Sequence, residues 1–178
     1  MKLDKSFCLW LTGLPSSGKT TTALALKEAL LEHDIYNVHL DGDVVRKGLN
    51  SDLGLSPEDR DENIRRIIHV SEIVVKSDVP VISSFISPYK KIRKMAKEVI
   101  PDHVEVWVNT PVEICIERDV KGLYARAKAG EISGMTGLDA PYEEPENPEV
   151  NLDTVNSSLE ENVEKIIAYL IENGYLSR

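Results

Sequence analysis

The sequence predicts an α/β fold, a three-layer αβα arrangement with a central parallel sheet and a basic lid segment. Three observations carry that prediction. Short apolar runs alternate with helical patterns along the 178 residues. A glycine-containing turn, "GLPSSGKT", joins the first apolar run to the first helical pattern. Several helical patterns open on Ser or Thr followed by Pro, a helix-start signal. Strands alternating with helices imply βαβ units, whose sheets bind ligands at the carboxyl ends of their strands.

"FCLWLTG" (7–13) is a short apolar run, as expected of a strand buried on both faces. The following "GKTTTALALKEALLEHD" places Ala23, Leu26, Ala29, Leu30 and Leu31 at helical spacing. "YNVHLDG" (36–42) reads as a second strand. In "SPEDRDENIRRIIHVSEIVVKSD", Ser56 is the expected N-cap, Pro57 the first helical residue, and Asp59 stands three after the cap. Ile64, Ile67, Ile68, Ile73 and Val74 then suit the apolar face of a long helix. "VPVISSFI" reads as a strand, and Ser87 with Pro88 as the start of the next helix. "HVEVWVN" is another strand, followed by a helix expected to start at Thr110 and Pro111. A loop-rich stretch follows, of which "GLDAPYEEPENPEVN" (137–151) is the densest in proline and acid. The last pattern, "SLEENVEKIIAYLIENG", is an amphipathic helix stopped by Gly174.

The chain is 42% hydrophobic and 29% charged, an ordinary globular composition. Its length points to one domain over 1–178, with a lid over 120–145. The net charge of −9 argues against nucleic acid and against anionic membranes. No apolar run approaches the roughly 20 residues that span a bilayer. The N-terminal apolar stretch runs directly into the glycine turn and reads as a strand, not a signal peptide. Cys8 and Cys115 lie far apart in apolar patterns, as expected of buried, reduced thiols in a cytoplasmic protein.

"GLPSSGKT" spans Gly13, Leu14, Pro15, Ser16, Ser17, Gly18, Lys19 and Thr20 and matches G-x-x-x-x-G-K-[ST]. A predicted strand precedes it and a predicted helix follows, the context that a P-loop requires. Its glycines let backbone N–H groups curl toward phosphate oxygens, and the helix N-terminus adds partial positive charge. Lys19 is expected to reach the β- and γ-phosphates of a nucleoside triphosphate, and Thr20 to offer its hydroxyl to Mg²⁺. Thr21 follows in the same first turn. The implied architecture is the P-loop NTPase fold. No N-K-x-D sequence for guanine is present, and no apolar strand ends in a Walker B aspartate. Those two absences lean toward a small-molecule kinase.

Four stretches then carry the acceptor side. In "LDGDVVRKGLN", Asp41 or Asp43 can take a proton from an attacking hydroxyl or hold magnesium through water, and Arg46 can grip an anion. Arg60 and Asn63, three apart, share a helix face and suit phosphate or sulfate oxygens. Ser87 stands at a strand-to-helix turn, where helix capping and ligand contact can coexist. In 117–145, Arg118, Lys121, Arg126 and Lys128 lie among Gly122, Gly130, Gly134 and Gly137, as in a lid hinged on glycines that supplies cations.

"LDGDVVRKGLN", "LGLSPEDRDENIRR", "SFISPY", "ERDVKGLYARAKAGEISGMTG" and "DAPYEEPENP" resemble the adenylylsulfate kinase (APS kinase) family, in order and at family spacing, over about residues 9–150. The resemblance implies transfer of the ATP γ-phosphate to the 3′-hydroxyl of adenosine 5′-phosphosulfate (APS), giving PAPS in sulfate assimilation. It implies Lys19, Asp41, Asp43 and Ser87 as catalytic residues, and the loop with Thr21 and Arg118 as ATP-binding. It places Asp43, Val44, Val45, Arg46, Leu55, Arg60, Asp61, Glu62, Asn63, Ile86, Ser87, Lys121, Gly134 and Met135 around APS. A homodimer is also implied. Two departures stand out. Leu55 and Met135 occupy positions where the family has phenylalanines that flank the adenine, in "LGFS" and "GFTG". Pro15 and Ser16 replace a serine and a glycine of the usual "GLSGAGKT". Two alternatives stay open: a kinase of the same fold with another nucleotide-linked acceptor, and a non-catalytic nucleotide-binding subunit.

Overall fold

The computed structural model describes residues 1–178. Its centre is a parallel sheet of five strands: β2 (Cys8–Thr12), β3 (Val38–Asp41), β4 (Val81–Ser84), β5 (His103–Asn109) and β6 (Val150–Asp153), in the order β3-β4-β2-β5-β6. A two-stranded antiparallel ribbon, β1 (Lys2–Leu3) with β7 (Leu176–Ser177), ties the two ends of the chain together.

Every residue of β2 is buried, and its alternation feeds two cores. Leu9 and Leu11 face α1 (Lys19–Leu31) and α7 (Leu159–Glu172), packing with Leu26, Leu30, Ile166 and Leu170. Cys8 and Trp10 face α3 (Pro57–Val75) and α4 (Lys90–Val99), packing with Ile67, Ile68, Ile92 and Ala96. Two helical layers on one sheet give the predicted three-layer architecture. β5 is only half apolar. Val104, Val106 and Val108 enter the first core, while His103 and Glu105 turn toward α4.

The Ser56 cap forms as expected, its hydroxyl accepting from the Asp59 N–H at 3.1 Å. α7 carries a full capping box between Ser158 and Glu161, and Gly174 (φ 73°) ends the segment. Two expected caps do not form. α4 begins at Lys90 after Tyr89, so Ser87 lies outside it. α5 (Val112–Arg118) begins after Pro111, and Thr110 Oγ1 donates instead to the Ser17 carbonyl at 2.9 Å. Ile73 departs too: it is 65% exposed, while Ile64, Ile67 and Ile68 form the buried stripe of α3. The loop-rich stretch contains a short helix, α6 (Leu123–Lys128), and ends in strand β6. No helix is long and apolar enough to cross a membrane.

The strand ends at Thr12, Asp41, Ser84 and Asn109 open on one edge of the sheet, where the phosphate loop and the acceptor stretches follow. Ile68→Ala is expected to cost about 2–5 kcal/mol in urea unfolding, and Ile73→Ala under about 0.5 kcal/mol. Equal costs would contradict this placement of the α3 stripe.

Candidate functional site

The phosphate loop turns through left-handed backbone at Ser16 (φ 62°) and Gly18 (φ 107°). A β-carbon on Gly13 would lie 2.7 Å from the Val108 carbonyl oxygen, so that position needs glycine. Ser16 keeps the left-handed turn with a β-carbon present, a strain on the order of 1 kcal/mol. That is the local consequence of the missing family glycine. Gly18 caps α1 with no side chain, leaving the first-turn N–H groups for an anion. Lys19 is buried and folds back, its Nζ donating to the carbonyls of Gly13 (2.9 Å) and Leu14 (2.7 Å). Burial pushes its ammonium down to about 8.

The loop is braced from outside. The buried Tyr124 hydroxyl of α6 donates to the Pro15 carbonyl at 3.1 Å. The Ser17 carbonyl accepts from Thr110 and from Arg118 (3.3 Å), whose other nitrogen donates to the Thr154 carbonyl at 2.8 Å. Arg118 therefore stands beside the loop as a brace. Thr21 is exposed next to it.

On the acceptor side, Asp41 ends β3 and caps α2 (Gly42–Val45), its Oδ1 accepting from the Asp43 N–H at 2.9 Å. Its Oδ2 accepts from Thr20 Oγ1 at 2.8 Å and from Ser84 Oγ at 3.0 Å. Burial pushes this carboxyl up, but the hydrogen bonds from Thr20, the Asp43 N–H and Ser84 outweigh it, and the net shift is downward. Asp41 is thus a fixed anion touching the hydroxyl expected to meet magnesium. Asp43 is exposed and ion-paired with Lys121.

Arg46 donates to the Gly54 carbonyl at 2.9 Å, and Arg60 to the carbonyls of Leu55 (2.9 Å) and Gly134 (3.0 Å). Neither is salt-bridged to a carboxylate. Burial, and after it the neighbouring Arg60 cation, lowers the Arg46 pKa. Two guanidiniums held side by side by carbonyls alone suit an anionic ligand. Gly134 (φ 71°) presents its carbonyl to Arg60 while its N–H donates to Asp139.

Several expected contacts are placed elsewhere. Val44 is 65% exposed near Asp43, but Val45 packs into the second core. Asp61 is paired with Lys91 at 2.7 Å. Glu62 is held by Arg65 and Arg66, which pull it down to about 2. Asn63 is buried, its Oδ1 accepting from Asn50 at 2.9 Å. Leu55 is 67% exposed and open to a base, whereas Met135 is buried against Cys115 and Tyr124 with Leu14 beside them. The buried Ser87 adopts φ 45°, and its hydroxyl accepts from Trp10 Nε1 at 3.1 Å. A hydroxyl held inside by an indole is not presented as a nucleophile. Ile86 offers its carbonyl to Thr12 Oγ1 at 2.7 Å. Trp10, Thr12, Tyr124 and Thr154 carry no local sequence signal for these contacts, and Thr110 carries only that of a helix cap, because each reaches its partner across the fold.

The family model for adenylylsulphate kinase matches residues 5–153. The adenylyl-sulfate kinase of Halothermothrix orenii is 48% identical over 177 residues, covering 99% of this chain and 96% of that protein. That of a Picosynechococcus species is 52% identical over 169 residues, covering 95% and 96%. The Mycobacterium tuberculosis APS kinase, solved in complex with AMPPNP and APS, superposes with a TM-score of 0.89 at 42% identity, covering 93% of this chain and 98% of that one.

Because the folded Asp41 carboxyl titrates below its usual 3.8, its contribution to stability is full above about pH 4 and is lost as pH falls through the lower folded value. Urea midpoints of Asp41→Asn should therefore fall less than those of the unsubstituted protein as pH drops below about 4. Parallel pH dependences would contradict the assignment.

Proposed function

We propose, from the premise that this chain belongs to the adenylylsulphate kinase family, that it transfers the γ-phosphoryl group of ATP to the 3′-hydroxyl of APS and so forms PAPS. The protein is a kinase. The observation that carries this reading is the Asp41 carboxylate, bonded on one oxygen to Thr20 of the phosphate loop and on the other to the Asp43 N–H. It ties the donor side to the acceptor side through a single side chain.

The residues present fit both groups. The uncapped start of α1, the left-handed loop and Lys19 suit a triphosphate. Thr20, with Asp41 behind it, suits Mg²⁺ held mainly by phosphate and water; no three His, Cys, Asp or Glu side chains gather into a site of their own. Bound there, the metal would neutralise charge on the phosphate oxygens. Lys19 exchanges its loop carbonyls for phosphate oxygens. Asp41 stays ionised and orients Thr20. Asp43 releases Lys121 and accepts the proton of the attacking hydroxyl, while Lys121 turns to the transferring charge. Arg46 and Arg60 hold the phosphosulfate, and Leu55 packs on the adenine. Lid closure over 120–145 excludes water.

The reading extends to one domain over 1–178 and to a homodimer, which light scattering would test. It also places the protein in the cytoplasm. Both cysteines are free and buried, as suits a reducing compartment; fractionation would test that.

ADP release should be supported by ATP-Mg²⁺ with APS and not by other nucleotide acceptors. Turnover confined to another acceptor would defeat the reading. Asp43→Asn should lower kcat by about 10²-fold or more while ATP binding stays nearly intact. Loss of ATP binding would refute the separation of the two sides. Leu55→Phe should lower the APS KM by about fivefold or more, since stacking on a base is worth about 1–3 kcal/mol. An unchanged KM would remove Leu55 from the adenine contact.

A further inference from the structure

The turn Ile86–Ser87–Pro88 is held from behind. Its three carbonyls are all engaged: Ile86 by Thr12 Oγ1 (2.7 Å), Ser87 by Arg93 (2.7 Å) and Pro88 by the Glu143 N–H (2.8 Å). The N–H groups of Ile86 and Ser87 donate to nothing in the protein. Ser87 keeps a left-handed φ of 45° despite its side chain. Such a conformation persists only where its surroundings over-determine it.

Arg93 is the centre of that restraint. It is a cation of α4 that is only 4% exposed. One terminal nitrogen donates to the Ser87 carbonyl, and the other donates to the Glu143 carbonyl at 2.6 Å. Its Nε stands 2.9 Å from a Glu105 oxygen, off the hydrogen-bonding line, so this contact is mainly one of charge. The guanidinium also lies 5.8 Å from the Tyr142 ring centroid, and the Tyr142 hydroxyl is bonded to Thr12 at 3.0 Å. Glu143 in turn caps α4, its carboxylate accepting from the Lys90 N–H at 2.7 Å. Arg93 therefore links the Ser87 turn to the chain that leaves the lid. A buried arginine with two carbonyls and one carboxylate cannot be replaced by lysine, which lacks the planar fork.

We propose that Arg93 is a positioning residue for the acceptor. It holds the Ile86–Ser87 turn so that both free N–H groups face the acceptor nucleotide, and it sets that turn against the lid's exit at Tyr142–Glu143. The inference rests on the kinase reading and on the placing of Ile86 and Ser87 around APS that the family resemblance implies. Arg93 touches no reacting atom and acts through the turn.

The test is steady-state kinetics of Arg93→Lys and of the double variant Arg93→Met/Glu105→Met, which removes the buried charge pair while keeping volume. The APS KM should rise about tenfold, as expected for two weakened hydrogen bonds to an anion, while the ATP KM moves less than about twofold. In the unsubstituted protein, APS added with ADP should shift the amide resonances of Ile86 and Ser87 and the Nε resonance of Arg93, a readout independent of whether the variants fold. An unchanged APS KM in a folded variant, an equal rise in both KM values, or unmoved Ile86 and Ser87 amides would overturn the proposal. Failure of the unsubstituted enzyme to use APS would instead overturn the kinase reading.

Discussion

The site depends on one buried carboxylate accepting three hydrogen bonds. Asp41 ends β3 and gathers Thr20 from the first turn of α1, Ser84 from the end of β4 and the N–H that opens α2. Three elements are thus registered on two oxygen atoms. Each bond favours the ionised form, so the group stays charged where burial alone would neutralise it. An asparagine in its place would offer one acceptor oxygen and an amide donor where another donor already points. The geometry needs the charge, and the charge needs the geometry. Relative motion of the phosphate loop and the acceptor stretch would break those bonds together.

The cations around this anchor are held loosely. Lys121 pairs with Asp43 where both side chains are more than half exposed, and such a pair contributes at most about 1 kcal/mol. Arg46 and Arg60 rest on carbonyls. These contacts can be exchanged for a ligand's anions at little cost. The roots of the proposed lid are different in kind. Tyr124 and Met135 are buried with Cys115, and a β-carbon on Gly137 would meet Leu14 at 2.8 Å. Positive φ at Gly122, Gly130, Gly134 and Gly137 marks where the rooted segment can turn. A firmly anchored base with exchangeable tips suits the proposed closing lid.

Local signals carried much of this from sequence to structure. Short runs rich in apolar residues marked β2, β4 and β5, and Ser56-Pro57 marked the start of α3, because both depend on near neighbours. The phosphate loop was legible for the same reason. Ser87 and Thr110 looked like caps by the same local rule, yet tertiary partners claim them: Trp10 donates to one, and the other donates to Ser17. β6 carries little sequence signal because only Val150 and Leu152 form its buried face, at the end of a proline-rich, acidic stretch. Arg93 and Tyr124 were invisible as supports, since Glu143 and Pro15 lie 50 and 109 residues from them. Glu62 shows the reverse case. Its place in a family string suggested ligand contact, but two arginines one turn along the same helix claim it first.

The central claim is that Asp41 couples the magnesium-side hydroxyl to the acceptor stretch. A double-mutant cycle on single-turnover phosphoryl transfer tests it most directly, using Thr20→Val, Asp41→Asn and both together. Strong coupling is predicted, with the double variant little slower than the worse single variant, since either change breaks the same link. Additive losses would mean that Thr20 and Asp41 act independently, and would contradict the account.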